Sequence, residues 1–169
     1  WWFTDEAVFL DTAGRYTTQD SDRAVDASGW KDFLHLLGKH RPRRPLNGVL
    51  VTMSLSDLLT LSPAERQQHA HAIRRRLDEL NQQLHVQVPV YLVLTKCDLL
   101  AGFSEFFDDL SPPQRAQVWG ASFALEKSLD ASASLAFSDE FARLLDRLNA
   151  RVLKRLHDER DGSRRAALL

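Results

Sequence analysis

Short, nearly continuous apolar runs occupy residues 7–10, 46–53 and 88–94, reading A-V-F-L, L-N-G-V-L-V-T-M and V-P-V-Y-L-V-L. Runs of that kind suit strands of a parallel sheet buried on both faces. Between and after them the apolar period lengthens to that of a helix. Trp30, Phe33, Leu34 and Leu37 share one face, as do Ile73, Leu77, Leu80 and Leu84. Phe141, Leu145, Leu148, Val152 and Leu156 form a third stripe. Strand and helix alternate strictly, which predicts an α/β fold with a parallel sheet and right-handed crossovers.

Polar residues set the boundaries. Thr12 to Asp26 is polar and reads as a loop, with Ser28 as cap of a helix from near Gly29 to Gly38–His40. Ser62-Pro63-Ala64-Glu65 is a capping box with proline at the first helical position, opening a helix to about Leu84. Gly102 to Leu110 predicts a short helix carrying Phe103, Phe106 and Phe107, and Ser111-Pro112-Pro113 opens another turn. Val118 to Phe123 is the candidate for a last short strand. Ser128 to Ser138 reads as a loop, with Ser138 capping the final long helix and Asp139 and Glu140 in its first turn. The tail after Asp161 is charged and reads as frayed. The expected division is an α/β core over residues 1–127, then a closing helix and the start of a helical extension over 128–169.

Composition changes this picture little. The chain has 169 residues, 44% of them hydrophobic and 27% charged, enough for one domain with a core of its own. A net charge of -1 argues against a global pull toward nucleic acid. A single cysteine, Cys97, rules out a disulfide within the chain and suits a reducing compartment. No apolar run approaches the ~20 residues that cross a bilayer. The chain opens without Met and almost at once with a strand, so it is expected to be a piece of a longer protein.

Chemistry concentrates at the ends of two predicted strands. Asp11-Thr12-Ala13-Gly14 follows the first run directly. An acid at the carboxyl end of a buried strand needs a cationic partner, and Mg²⁺ supplies one where phosphates are also bound. Gly14 lets the backbone approach a phosphate with no side chain in the way. Such a turn also occurs wherever a strand ends in a tight loop. Thr95-Lys96-Cys97-Asp98 follows the most apolar run. Asp98 can accept two hydrogen bonds from N1–H and the exocyclic amine of guanine, while the stem of Lys96 covers the purine face. The plain alternatives are that Asp98 caps the following helix and that Lys96 pairs with it.

Together, and in that order, the two motifs match the metal/γ-phosphate and base ends of a P-loop GTPase-like site. Gly120-Ala121-Ser122 is a loose match to the turn that supports the base. The phosphate cradle G-x-x-x-x-G-K-[ST] does not occur in the 169 residues. The expected fold is therefore a GTPase-like parallel sheet flanked by helices, with its first strand and P-loop upstream of Trp1.

Three blocks carry a family likeness: W-W-F-T-D-E-A-V-F-L-D-T-A-G-R-Y-T-T-Q-D, H-R-P-R-R-P-L-N-G-V-L-V-T-M-S-L-S-D-L-L and P-V-Y-L-V-L-T-K-C-D-L-L-A-G-F-S-E-F-F. They resemble the IcmF/TssM family of type VI secretion inner-membrane proteins, from Trp1 to about Asp161. The resemblance implies a cytoplasmic NTPase-like domain between membrane spans, on the cytoplasmic face of a bacterial inner membrane. It implies TssL, TssJ and baseplate proteins as partners, a homo-oligomeric assembly and no nucleic acid. It also implies GTP or ATP with Mg²⁺ in the complete domain, with Asp11 on the metal side, Gly14 at the γ-phosphate, and Thr95, Lys96 and Asp98 at the base. No catalytic residue is assigned. Arg15 stands where Ras-like enzymes orient water with glutamine, and Thr95 replaces the usual asparagine, so slow turnover at best is expected.

Three functions follow as expectations: a scaffold and switch domain that helps anchor baseplate and tail, a working GTPase or ATPase that powers or times assembly, and a degenerate nucleotide fold used only for interaction. Two basic features stand apart. Lys39-His40-Arg41-Pro42-Arg43-Arg44-Pro45 complements a helix dipole, or meets acidic lipid headgroups or an acidic partner. Arg143, Arg147, Arg151 and Arg155 form a row at i, i+4 spacing, read as solvent-facing, with partner binding as the alternative. His69 and His71 are two apart on their helix and share no face, so they read as surface residues.

Overall fold

The structure is a computed structural model that describes residues 2–12, 23–124 and 132–168. It is a mixed α/β arrangement with a small parallel sheet. The chain forms two compact units, one of residues 1–53 and 57–94, the other of 54–56 and 95–169.

The first unit begins with a short antiparallel ribbon. Strand β1, Trp2–Phe3, pairs with β2, Val8–Phe9, in the register Trp2 to Phe9 and Phe3 to Val8. The Thr4 hydroxyl holds the intervening turn by accepting from the Ala7 N–H at 2.9 Å. The first apolar run thus forms only two strand residues, and it pairs backward on the chain's opening aromatics. A turn fixed by one hydroxyl makes that local antiparallel pairing easy.

Helix α1, Arg23–His40, packs on α3, Pro63–Leu84. Ser28 and Gly29 lie inside α1, so Ser28 is not its cap. A helix-interior glycine costs about 1 kcal/mol. Burial of Trp30, Leu34 and Leu37 on the same helix offsets that cost. These three meet Leu80 and Leu84 of α3 in one apolar cluster, with Leu34 fully buried at its centre. The capping box forms as expected: the Ser62 hydroxyl accepts from the Glu65 N–H, and the Glu65 carboxylate accepts from the Ser62 N–H at 2.8 Å. Arg76, expected off the apolar face, is folded down. It lies 5.8 Å from the Trp30 ring centroid and pairs with Glu79 at 2.7 Å.

Strand β3, Val49–Ser54, leads directly into the short helix α2, Leu55–Thr60. It lies beside β4, Val90–Thr95, and its first N–H, from Val49, donates to the Pro89 carbonyl at 2.9 Å. The approach is close because Gly48 has no side chain: a Cβ there would stand 3.3 Å from that carbonyl oxygen. β4 is the most apolar strand, yet it is open. Tyr91 is 53% exposed and Leu92 58%, so opposite faces of the strand both meet solvent. The expectation of burial on both faces is not met, because a two-stranded sheet provides too few neighbours to cover it.

In the second unit a 3₁₀ turn, Cys97–Leu99, is followed by α4, Phe103–Phe107, and α5, Pro112–Arg115. Val118 to Phe123 is not a strand. Instead Trp119 brings its ring to within 6.4 Å of Phe107. The long helix α6 spans Ser132–Asp158, and α7 spans Gly162–Ala167. α6 therefore starts six residues before Ser138, through a stretch whose Ala and Leu favour helix more than its serines oppose it. The tail is likewise helical: the Asp161 carboxylate caps α7 by accepting from the Ser163 and Arg164 N–H groups at 2.9 and 3.0 Å.

Candidate functional site

The apolar run of β4 drives the chain to a sharp stop. Thr95 ends the strand, and Lys96 takes the left-handed conformation, φ 56° and ψ 31°. That region disfavours a residue with a Cβ. Its use here bends the chain abruptly out of the strand into the 3₁₀ turn. The Lys96 carbonyl then accepts from the Leu99 N–H at 3.2 Å, and the Cys97 carbonyl accepts from the Leu100 N–H at 3.0 Å. Exposure alternates through the turn: Thr95 and Cys97 are half-buried, Lys96 and Asp98 exposed.

Both plain alternatives for this motif fail. Asp98 lies within the 3₁₀ turn, whose cap position belongs to Lys96 and carries no side-chain capping bond. The Asp98 carboxylate makes no hydrogen bond or ion pair with any described residue, so it is not spent on Lys96. Both of its oxygens are open to a donor pair such as guanine's N1–H and amine.

Asp11 belongs to the other unit. It follows β2 and Leu10, whose side chain packs against the α1/α3 cluster. That contact anchors the chain immediately before the acid, and Asp11 itself is exposed. Among the described residues no group of three or more His, Cys, Asp or Glu side chains could hold a metal ion. A single open carboxylate nevertheless suits Mg²⁺ that arrives on phosphates and keeps most of its waters. Gly14 lies outside the described residues, as does Arg15. The structure thus brings Thr95, Lys96 and Asp98 together in one turn, and describes Asp11 in a separate unit.

The basic row on α6 was misread in part from the sequence. Arg143 pairs with Glu140 on its own helix. Arg151 and Arg155 instead clamp α4. The Arg155 side chain is 9% exposed, and it donates to the Glu105 carbonyl at 2.7 Å and to the Asp108 carboxylate at 2.8 Å. Arg151 pairs with Asp109 and lies 5.4 Å from the Phe106 ring centroid and 5.7 Å from that of Phe107. Arg164 of α7 reaches the same Asp108. The signal in the sequence was the acid pair Asp108-Asp109 directly after three phenylalanines, a composition that invites guanidinium.

Residues 23–169 match the model of the IcmF-related N-terminal domain. The chain is 58% identical over 166 residues to the type VI secretion system component TssM1 of Pseudomonas aeruginosa. That match covers 98% of this chain and 15% of the relative, so the chain spans a small part of the relative's length. No solved structure matches the chain.

Proposed function

We propose a function from one premise: this chain belongs to the IcmF/TssM family of type VI secretion components. It acts as a scaffold and switch domain of the secretion membrane complex, on the cytoplasmic face of the inner membrane. There it helps anchor the baseplate and tail, among partners of the TssL and TssJ kind and further copies of itself. A guanine nucleotide with Mg²⁺ is the switching ligand in a P-loop GTPase-like domain. Thr95, Lys96 and Asp98 hold the base, Asp11 takes the metal side, and Gly14 approaches the γ-phosphate.

The observation that carries this reading is the Asp98 carboxylate, exposed and unpaired in a turn bent by a left-handed Lys96. A structural acid at a strand end would be expected to cap a helix or to pair. One that does neither is available to a ligand. The chain's residues would then orient the base and exclude adenine, while Mg²⁺ would offset phosphate charge.

The test is base choice in the full-length protein. Asp98→Asn should shift preference from GTP toward xanthosine triphosphate, read by competition binding. An unchanged preference would reduce Asp98 to a surface acid and remove the nucleotide from the proposal. A purely interacting domain is the second reading, supported by the open apolar faces of β4. It predicts that neither nucleotide binds.

A further inference from the structure

Arg74, Arg76, Arg143, Arg151, Arg155 and Arg164 each have a carboxylate within ion-pair reach. The turn after α1 gathers cations that have none. Lys39, Arg41, Arg43 and Arg44 are all exposed, and none pairs with a carboxylate among the described residues. The helix dipole accounts for Lys39 and His40, which lie in the last turn of α1. It does not reach Arg43 and Arg44, which lie beyond that turn. Pro42 and Pro45 hold the residues before them, Arg41 and Arg44, toward extended backbone. The four cations are therefore spread along a stiffened turn and not collapsed onto helix carbonyls.

A concavity of about 310 Å³ adjoins this turn. Its floor is the buried Leu34, Leu84 and Pro45, and its exposed rim includes His35, Lys39 and His85. His85 is held there by a left-handed C-cap on α3, φ 52° and ψ 38°. An apolar floor under a cationic and imidazole rim suits a ligand that is anionic at one end and apolar at the other.

We propose that the Lys39–Pro45 turn is a docking surface for anionic phospholipid headgroups. The choice of a lipid over a free anion leans on the membrane-side role proposed above. The surface itself stands on unpaired charge and the adjoining concavity, independently of any nucleotide. Four cations is the number at which juxtamembrane clusters hold an anionic leaflet, each contributing about five-fold to partitioning. The whole chain carries a net charge of -1, so the attraction is local and not a general affinity for polyanions.

Sedimentation of the chain with vesicles of equal parts phosphatidylglycerol and phosphatidylcholine tests it, with pure phosphatidylcholine vesicles alongside. Binding is expected to the first and not the second, falling as salt is added. R43Q/R44Q should weaken it about thirty-fold, two charges at the per-residue factor. R43K/R44K should retain it, because a charged surface does not read the guanidinium fork. Unchanged melting of both variants establishes that the fold is intact. Equal binding to the two vesicle types would overturn the proposal, as would no loss in R43Q/R44Q. So would displacement by inorganic phosphate at matched ionic strength, which marks a free-anion site. Binding to an acidic polypeptide without binding to the vesicles would assign the surface to a protein instead.

Discussion

At the centre of the α1/α3 unit stands Leu34, with 0% exposure. The buried residue among those described on α6, in the other unit, is Arg155, at 7%. The first unit is organised by apolar side chains that need only shape and volume. The second joins α4 to α6 through guanidinium groups that need particular carbonyls and carboxylates. The candidate residues divide along the same line. Asp11, in the first unit, follows a contact with an apolar cluster. Thr95, Lys96 and Asp98, in the second, lie in a turn ahead of a helix held by charge. Burial without specificity forms a frame, and charge with specificity fixes one arrangement, at the risk of a costly orphan if either partner is lost.

The comparison breaks first at Leu34. Leu34→Ala removes a side chain touched on all sides and leaves a cavity between α1 and α3. A loss of about 2–5 kcal/mol is expected, measured by urea unfolding. A loss below ~1 kcal/mol would mean that the cluster is loosely packed and that the two units are held together in much the same way.

Arg155 is the corresponding test of the second unit. Arg155→Leu keeps bulk but leaves the Glu105 carbonyl and the Asp108 carboxylate without this donor. Breaking a fully buried pair costs ~3–5 kcal/mol. Asp108 is 36% exposed and also meets Arg164, so about 2 kcal/mol is the better expectation. Denaturant melts of Arg155→Leu and the double variant Arg155→Leu/Asp108→Leu sharpen the point. The double variant should recover part of the loss, because Asp108, the carboxylate nearest the lost guanidinium, is then gone as well. Equal destabilisation of the two would make Arg155 a packing residue.

The first unit was the more legible of the two. Periodicity found the Trp30, Leu34, Leu37, Leu80 and Leu84 cluster, because burial of one helix face leaves its mark at fixed spacing. The capping box at Ser62 was legible for a similar reason, since its chemistry is complete within four residues. Pairing over 47 positions, as between Arg155 and Asp108, has no local signature, and the arginine row read as surface. β2 failed differently. Its composition was apolar enough for a buried strand, but pairing partners are chosen by tertiary structure, and Trp2–Phe3 lay closest. Of the site, the motif spacing was legible. The left-handed turn at Lys96 was not, since nothing in the residue type lysine announces positive φ.

The smallest expected effect belongs to a device that the two units share. Glu65 in the first is held below the ordinary carboxylate range by its hydrogen bonds with Ser62, side chain first and backbone second. Asp161 in the second is lowered by the Ser163 hydroxyl, then by the Arg164 and Ser163 N–H groups. Both carboxylates are better satisfied folded than unfolded. Their contributions are therefore complete above the unfolded value, near pH 4, and fade as pH falls through the lower folded value. Ser62→Ala removes the hydroxyl that both caps α3 and lowers Glu65. It should cost about 1 kcal/mol at neutral pH. The gap between Ser62→Ala and the parent chain should narrow on acidification, because the Ser62 hydroxyl's bond to ionised Glu65, present only in the parent, fades as Glu65 is protonated. Asp161→Ala should narrow in the same direction, since its cap depends on the same ionised form. Urea unfolding of the three proteins at neutral pH and below pH ~3.5 reads both gaps. A gap that widens with acid would mean that the carboxylates oppose their helices. Narrowing at Ser62 alone would confine the device to the first unit and leave α7 held by Arg164 and Asp108 instead.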